Sequence, residues 1–220
     1  MQNKVLAIAA ILAGLSSAAS AGTPPSWRDF KDVTNTSFTE PDGDRSLQLS
    51  IDVPAAAHDV FTAFSTSEGF SSWAVPVAKI DFRVGGMIEA SYDSHAKFGD
   101  PNNIKNAVVS YIPDRLIVIR NVQAPAGFVD SQLFQKTVTM IEFAPLDAKT
   151  TRVTLTNAGY GSGAGFADVF AHFEWGNAYT LHELRKRFVN GPVDWAAEEA
   201  KEAAAEAKEK AQAASKTATN

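Results

Sequence analysis

The stretch SLQLSIDVPAAAHDVFTAFS, residues 46–65, combines two hydrophobic periods and determines the fold predicted for this chain. Its first half alternates apolar with polar residues, which indicates a half-buried strand: Leu47, Leu49, Ile51 and Val53. Its second half has an apolar stripe at helical spacing: Val60, Phe61 and Phe64. Between them, Pro54 cannot donate a hydrogen bond to a strand ladder, and its fixed φ suits the first turn of a helix. The sequence therefore predicts a strand over 46–53 and a helix that opens at Pro54.

Downstream of this stretch, a second short helical turn over 70–73 ends in Trp73. The segment IDFRVGGMIEASY, residues 80–92, then predicts two strands separated by a Gly-Gly turn. Four further strands are expected, two in each of two hairpins: 106–112, 115–122, 134–143 and 150–157. A long amphipathic helix over 166–188 follows, and Gly191-Pro192 stops it.

This order of elements favours an α+β fold in which about seven antiparallel strands carry helices on one face. A short helix pair follows the first strand, and one long helix closes the domain. If the sheet curves strongly around that last helix, the space between them becomes a ligand cavity.

Three runs together resemble the START-like, or helix-grip (SRPBCC), superfamily: VPAAAHDVFTAFSTSEGFSSWAVP, IDFRVGGMIEASY and VTMIEFAPLDAKTTRVTLTNAGYG. Within it, the chain is most similar to the branch of the activator of the 90-kDa heat-shock-protein ATPase. The likeness covers about 46–191. It implies a helix-grip fold with a hydrophobic cavity, in a superfamily whose members include lipid carriers, polyketide cyclases and co-chaperones.

The first residues have the pattern of a secretory signal peptide. Lys4 precedes the apolar run Val5–Leu15, and Ala19-Ser20-Ala21 is an A-x-A cleavage site. We therefore expect a periplasmic or secreted protein, which separates it from the cytosolic co-chaperone role. The expected organisation is a signal peptide over 1–21, an N-terminal arm over 22–45, the helix-grip domain over 46–191 and a helical tail over 192–220.

Composition and charge limit the partners of the mature chain. Removal of residues 1–21 takes away only Lys4 among the charged residues, so the formal charge changes from −5 to −6. A mildly acidic chain without a basic cluster is not expected to bind nucleic acid. After signal cleavage, no integral membrane segment is expected.

Metal and cofactor motifs are not evident in the sequence. The chain has no cysteine, and its four histidines lack the spacing of a zinc site. We therefore expect no metal, no cofactor and no catalytic cluster.

Seven residues are candidates for contact with a ligand: Trp73, Tyr92, Tyr111, Arg120, Phe134, Phe173 and Asn177. Asn177 stands where the helical repeat calls for an apolar residue, so its partner is either a ligand, a cavity water, the facing sheet or a helix carbonyl. Arg120 would attract a carboxylate or phosphate if it pointed inward, and would otherwise form a surface ion pair.

The tail reads WAAEEAKEAAAEAKEKAQAA over 195–214 and has high helix propensity. It has no large apolar residue after Trp195, which favours a solvated helix or semi-rigid spacer.

Together these features favour an exported binding protein that holds a small hydrophobic or amphipathic ligand. Two alternatives stay open: an enzyme of the cyclase or dehydratase kind acting on an aromatic or polyketide-like substrate, and a protein-interaction module of the co-chaperone branch. Convergent titratable groups in the pocket would favour the enzyme, and a filled core would favour the interaction module.

Overall fold

A computed structural model of the protein describes residues 25–128 and 130–217. The expected signal peptide, residues 1–21, lies outside the described residues. Within the described part of the chain, no helix combines the length and the apolar character needed to cross a membrane.

The described strands form one antiparallel sheet in the spatial order β1-β3-β9-β8-β7-β6-β5-β4, with β2 also paired to β3. In chain order they are β1 (Thr34–Asn35), β2 (Phe38–Thr39), β3 (Arg45–Val53), β4 (Val77–Ile80), β5 (Met87–Ser91), β6 (Ile104–Ile112), β7 (Leu116–Gln123), β8 (Val138–Asp147) and β9 (Thr150–Tyr160). The pairing register shifts between β6 and β7 and between β8 and β9. Such bulges increase local twist and bend a sheet, which helps it to curve.

The described residues contain five α-helices beside the sheet: α1 (Ala57–Ser65), α2 (Ser67–Ser71), α3 (Ser131–Phe134), α4 (Phe166–Asn190) and α5 (Trp195–Thr217). A 3-10 turn at Trp27–Asp29 precedes β1. The predicted helix pair after the first long strand and the long closing helix are confirmed. Gly191 ends α4 with φ of 93° and donates its N–H to the carbonyl of Arg187, as the Gly-Pro pair predicts.

The core lies where α1 and α4 pack on the inner face of β3 and β9. The alternate residues of β3 that predict the strand are all buried: Leu47, Leu49, Ile51 and Val53. On α4, Ala178, Leu181 and Leu184 have no exposed surface. On α1, Phe64 packs edge-on against the ring of Trp73 at 5.0 Å. The α+β helix-grip architecture is therefore confirmed.

In the part of the chain that the structure describes, the sheet has nine strands where about seven are expected, because part of the N-terminal arm pairs with it. Thr34 lies opposite Ser50, and Phe38 lies opposite Ser46. β1 and β2 therefore extend the sheet into the arm.

The strand expected to begin at Ile80 instead ends there. Phe82 and Val84 continue the apolar alternation, but they lie in the turn that leads to Gly85 and Gly86. A Cβ on Gly86 would lie 2.0 Å from the carbonyl oxygen of Asp81, so this close approach of the backbone requires glycine. Alternation alone cannot distinguish such a turn from a strand.

Other boundaries also differ from the sequence prediction, and the second helical turn, expected over 70–73, is α2 over Ser67–Ser71. Pro54 ends β3 as expected, but the helix begins three residues later, at Ala57. Phe134 ends the short helix α3 and does not begin a strand, because Asp130 caps that turn by accepting a hydrogen bond from Leu133 N.

The substitution Leu181→Ala tests the packing of α4 on the sheet. We expect it to lower the free energy of unfolding by about 2–5 kcal/mol, because it leaves a cavity in a fully buried contact. The matched change Leu146→Ala, at a side chain that is 48% exposed, should cost less than about 0.5 kcal/mol. Urea titration followed by circular dichroism measures both values, and equal losses would contradict this assignment of the core.

Candidate functional site

A cavity of about 620 Å³ lies between the sheet, α4 and α5. Its inner part is lined by strand residues that alternate toward the concave face of the sheet, since side chains two apart on a strand share one face. These apolar lining residues include Ile88, Ala90, Ile104, Ile117, Ile119 and Ile141. Aromatic side chains from the helical layer complete the walls: Phe64, Trp73 and Phe173.

A ladder of neutral polar side chains crosses this apolar interior. Asn177 on α4 is 8% exposed, and its Nδ2 donates a hydrogen bond to Oδ1 of Asn157 on β9. Asn157 in turn donates from Nδ2 to Oγ1 of Thr139 on β8, at 2.5 Å. All three residues line the cavity. Among the partners considered for Asn177, the facing sheet is therefore the one to which its side chain donates a hydrogen bond. Asn177 Oδ1 accepts no hydrogen bond from the described residues.

Five of the seven sequence-predicted site residues line this cavity: Trp73, Tyr92, Phe134, Phe173 and Asn177. Trp73 acts as a wall only, because its indole N–H already donates to the carbonyl of Ala63 at 3.0 Å. The rings of Phe134 and Phe173 stack with their centroids 4.1 Å apart. Tyr92 lies near the mouth and is 45% exposed.

Two of the predicted residues lie elsewhere. Arg120 is exposed and does not line the cavity, because its neighbour Ile119 takes the inward position and side chains alternate along β7. The ring of Tyr111 instead packs against Phe82, with the centroids 4.8 Å apart. Neither residue contributes to the cavity.

The tail helix α5 is the part of the site that sequence reasoning missed. The indole N–H of Trp195 donates to the carbonyl of Ser71 at 2.6 Å, and Val193 N donates to the carbonyl of Ser72 at 2.9 Å. One turn further on, Glu199 accepts a hydrogen bond from Ser94 Oγ at 3.3 Å. It also lies 3.5 Å from Nε2 of His95. These contacts hold the first turns of α5 along the cavity mouth, so this part of the tail is not a free spacer.

The face that α5 turns toward the domain is polar. Glu202 and Glu206 are half-buried, while the three alanines between them are exposed. Both glutamates line the cavity. A face made of carboxylates gives no hydrophobic period, so the sequence of the tail does not predict that α5 docks on the domain. The signal available in the sequence was the spacing of Trp195, Glu199, Glu202 and Glu206 at three- and four-residue steps.

The mouth has a negative electrostatic environment. Burial raises the pKa of Tyr179 to about 12, and the nearby charges of Glu183, Glu198 and Glu202 contribute in the same direction. The ring of Tyr179 also stacks on Trp175 at 5.5 Å, which fixes its position on α4.

The α4 histidines lie outside the cavity. Nδ1 of His182 is 3.0 Å from the carboxylate of Asp32 in the arm. His172 packs edge-on against Phe128 and Phe173, and burial lowers the pKa of its imidazole. Among the described residues, no group of three or more His, Asp or Glu side chains could hold a metal ion.

Residues 54–188 match the family described as Activator of Hsp90 ATPase homolog 1-like protein. The chain belongs to this family. The matched range contains β4 to β9, α1 to α3 and all but the last two residues of α4, and it stops before α5. No curated protein matches the chain.

Solved structures with the same fold have low sequence identity to this family member. The Aha1 dimer from Colwellia psychrerythraea is 18% identical, with a TM-score of 0.51 over 66% of this chain and 97% of its own. A protein from Staphylococcus saprophyticus is 16% identical, with a TM-score of 0.50 over 68% and 96% of the two chains. A protein from Nitrosospira multiformis is 15% identical, with a TM-score of 0.50 over 65% and 95%. At these identities, the likeness shows the fold alone.

Membership in the family of Activator of Hsp90 ATPase homolog 1-like proteins supports a ligand-binding or co-chaperone-like module. The family match includes the polar ladder and the inner walls of the cavity, whereas the α5 side of the mouth lies beyond it.

The substitution Trp195→Ala tests the docking of α5. Loss of the indole hydrogen bond and of its packing should speed amide hydrogen exchange within 195–217 by about tenfold or more, which corresponds to about 1.4 kcal/mol of docking free energy. The control Trp27→Ala removes a half-buried indole from the arm and should leave α5 exchange unchanged. Unchanged exchange in both variants would refute the anchoring role of Trp195.

Proposed function

We propose that this protein binds one small hydrophobic or amphipathic molecule in the cavity between the sheet, α4 and α5. The observation that carries the proposal is a space of about 620 Å³ with apolar walls and one internal polar ladder. Ligand pockets are typically about 300–1,000 Å³, mostly apolar, and carry a few polar groups that orient the ligand.

The chemistry of the inner walls favours binding over catalysis. The polar ladder inside the cavity consists of the neutral side chains of Asn177, Asn157 and Thr139, whereas general acid–base catalysis needs a titratable group beside the reacting atom. The titratable side chains of the lining lie around Tyr92, Tyr179 and α5, at the mouth. An open cavity also favours a small ligand over an interaction module with a filled core.

Filling the cavity should remove binding. We expect the full chain to bind N-phenyl-1-naphthylamine, an apolar fluorescent probe, at one site. Ile119→Phe and Ile104→Phe place extra volume on the cavity wall and should each weaken that binding by about tenfold or more. The matched change Ile112→Phe lies at a 51% exposed position away from the cavity and should have no effect.

Native mass spectrometry of the protein from its own cells provides an independent test. A co-purifying apolar compound that Ile119→Phe reduces would support the proposal. Absence of probe binding to the correctly folded protein, or equal binding by all three isoleucine variants, would refute it.

We also propose that the mature protein is exported. The support is the order of Lys4, the apolar run Val5–Leu15 and the cleavage motif Ala19-Ser20-Ala21. Intact mass measurement of the expressed full-length chain should find a mature form beginning at Gly22 in the periplasmic or secreted fraction. A cytosolic protein that retains residues 1–21 would contradict this proposal.

A further inference from the structure

We propose, building on the function proposed above, that the ligand carries a cationic group and that this group lies at the mouth of the cavity. The apolar part of the ligand would occupy the space over the sheet. The cation would lie among the carboxylates and aromatic rings that α4 and α5 contribute to the rim.

The first support is the face by which α5 covers the mouth. A helix that docks on a domain usually buries an apolar stripe. Here Trp195 is followed on the domain side by the half-buried carboxylate of Glu202, which lines the cavity. Taking a carboxylate partly out of water is unfavourable unless a positive charge or hydrogen-bond donor compensates it.

The second support is the balance of charge at the rim. Among the described lining residues the Lys and Arg side chains are Lys186, Arg187 and Lys201, and carboxylates outnumber them. Lys186 is already 2.8 Å from Glu183, whose side chain is only 17% exposed, and Lys201 is 3.5 Å from Glu198. In the described part of the chain, no ion pair neutralises Glu202.

An anionic group would find few partners at this rim. Nε of Arg187 donates to Ser72 Oγ at 2.8 Å, and its guanidinium lies 5.5 Å from the centre of the Phe188 ring. Nζ of Lys186 contacts both carboxylate oxygens of Glu183, at 2.8 and 2.9 Å. An anion at Lys186 would therefore compete with Glu183 and approach excess negative charge, whereas a cation would meet Glu202, which no ion pair among the described residues neutralises.

The third support is the presence of aromatic rings beside the carboxylates. Tyr92, Tyr179 and Trp195 all line the same region. The faces of such rings attract ammonium groups, most strongly where water is partly excluded. The influence of three glutamate charges on Tyr179 is consistent with a negative potential at this point. Deeper in the cavity, Asn177 Oδ1 offers an acceptor and no charge.

Three probes with the same alkyl chain and different head groups test this inference on the full chain. Near neutral pH, decylammonium is a cation, decanol is neutral and decanoate is an anion. Each displaces the fluorescent naphthylamine probe at concentrations below micelle formation. We expect decylammonium to bind about tenfold more tightly than decanol, with decanoate weakest, because the cation gains ion-pair and cation–π contacts. High salt should reduce the difference, since it screens charges at an accessible rim.

The variant Glu202→Gln tests whether a carboxylate at the rim causes the preference for the cationic probe. It should reduce the ratio of decylammonium to decanol affinity by about threefold. The control Glu142→Gln removes the same charge from an exposed position of β8 and should leave the ratio unchanged.

The outcomes separate this inference from the function on which it rests. Equal binding of the three probes, tighter binding of decanoate, or a ratio unaffected by Glu202→Gln would overturn the cationic head group while leaving a binding protein. Failure of all three probes and of the naphthylamine to bind the folded protein would overturn both proposals.

Discussion

The structure depends on the way one helix covers only part of a wide sheet. Leu181 and Leu184 of α4 are fully buried against the inner face that includes β3 and β9. The sheet continues through β8 and β7 to β4, beyond the width of a single helix. Apolar residues such as Ile88, Ile117 and Ile119 therefore face a space that α4 does not fill. The hydrophobic effect favours covering such a surface, and a ligand together with α5 would do so.

The regular elements could be predicted because their apolar residues recur at fixed intervals. The buried residues of β3 alternate as a half-buried strand requires, and the spacing of Phe166, Phe170, Phe173 and Leu181 predicts the long helix α4. The same criterion failed at Phe82 and Val84, where the alternation continues into a turn created by a close backbone approach at Gly86. At these residues the apolar alternation predicts a strand, whereas the close backbone contact at Gly86 requires a turn. The backbone forms the turn.

The candidate site was less predictable because it depends on partners that are distant in sequence. Asn177 is recognisable as a polar residue in an apolar stripe, but its partner Asn157 could not be named without knowing which strand faces α4. Arg120 and Ile119 are adjacent in sequence and lie on opposite faces of one strand, so which of them lines the cavity depends on the register. The docked face of α5 was missed because half-buried carboxylates have no hydrophobic signature.

Because α5 lies outside the family match, the hydrophobic core and much of the charge at the cavity mouth come from different parts of the chain. The described hydrophobic core is formed by residues before α5, on β3, which lies just ahead of the matched range, and on the elements within that range. The charge at the mouth comes in large part from side chains after that range, carried on a helix whose outer positions are mostly alanine. Under the proposed function, mutations in the tail would therefore alter ligand preference with little cost to folding, so that recognition could evolve independently of the scaffold.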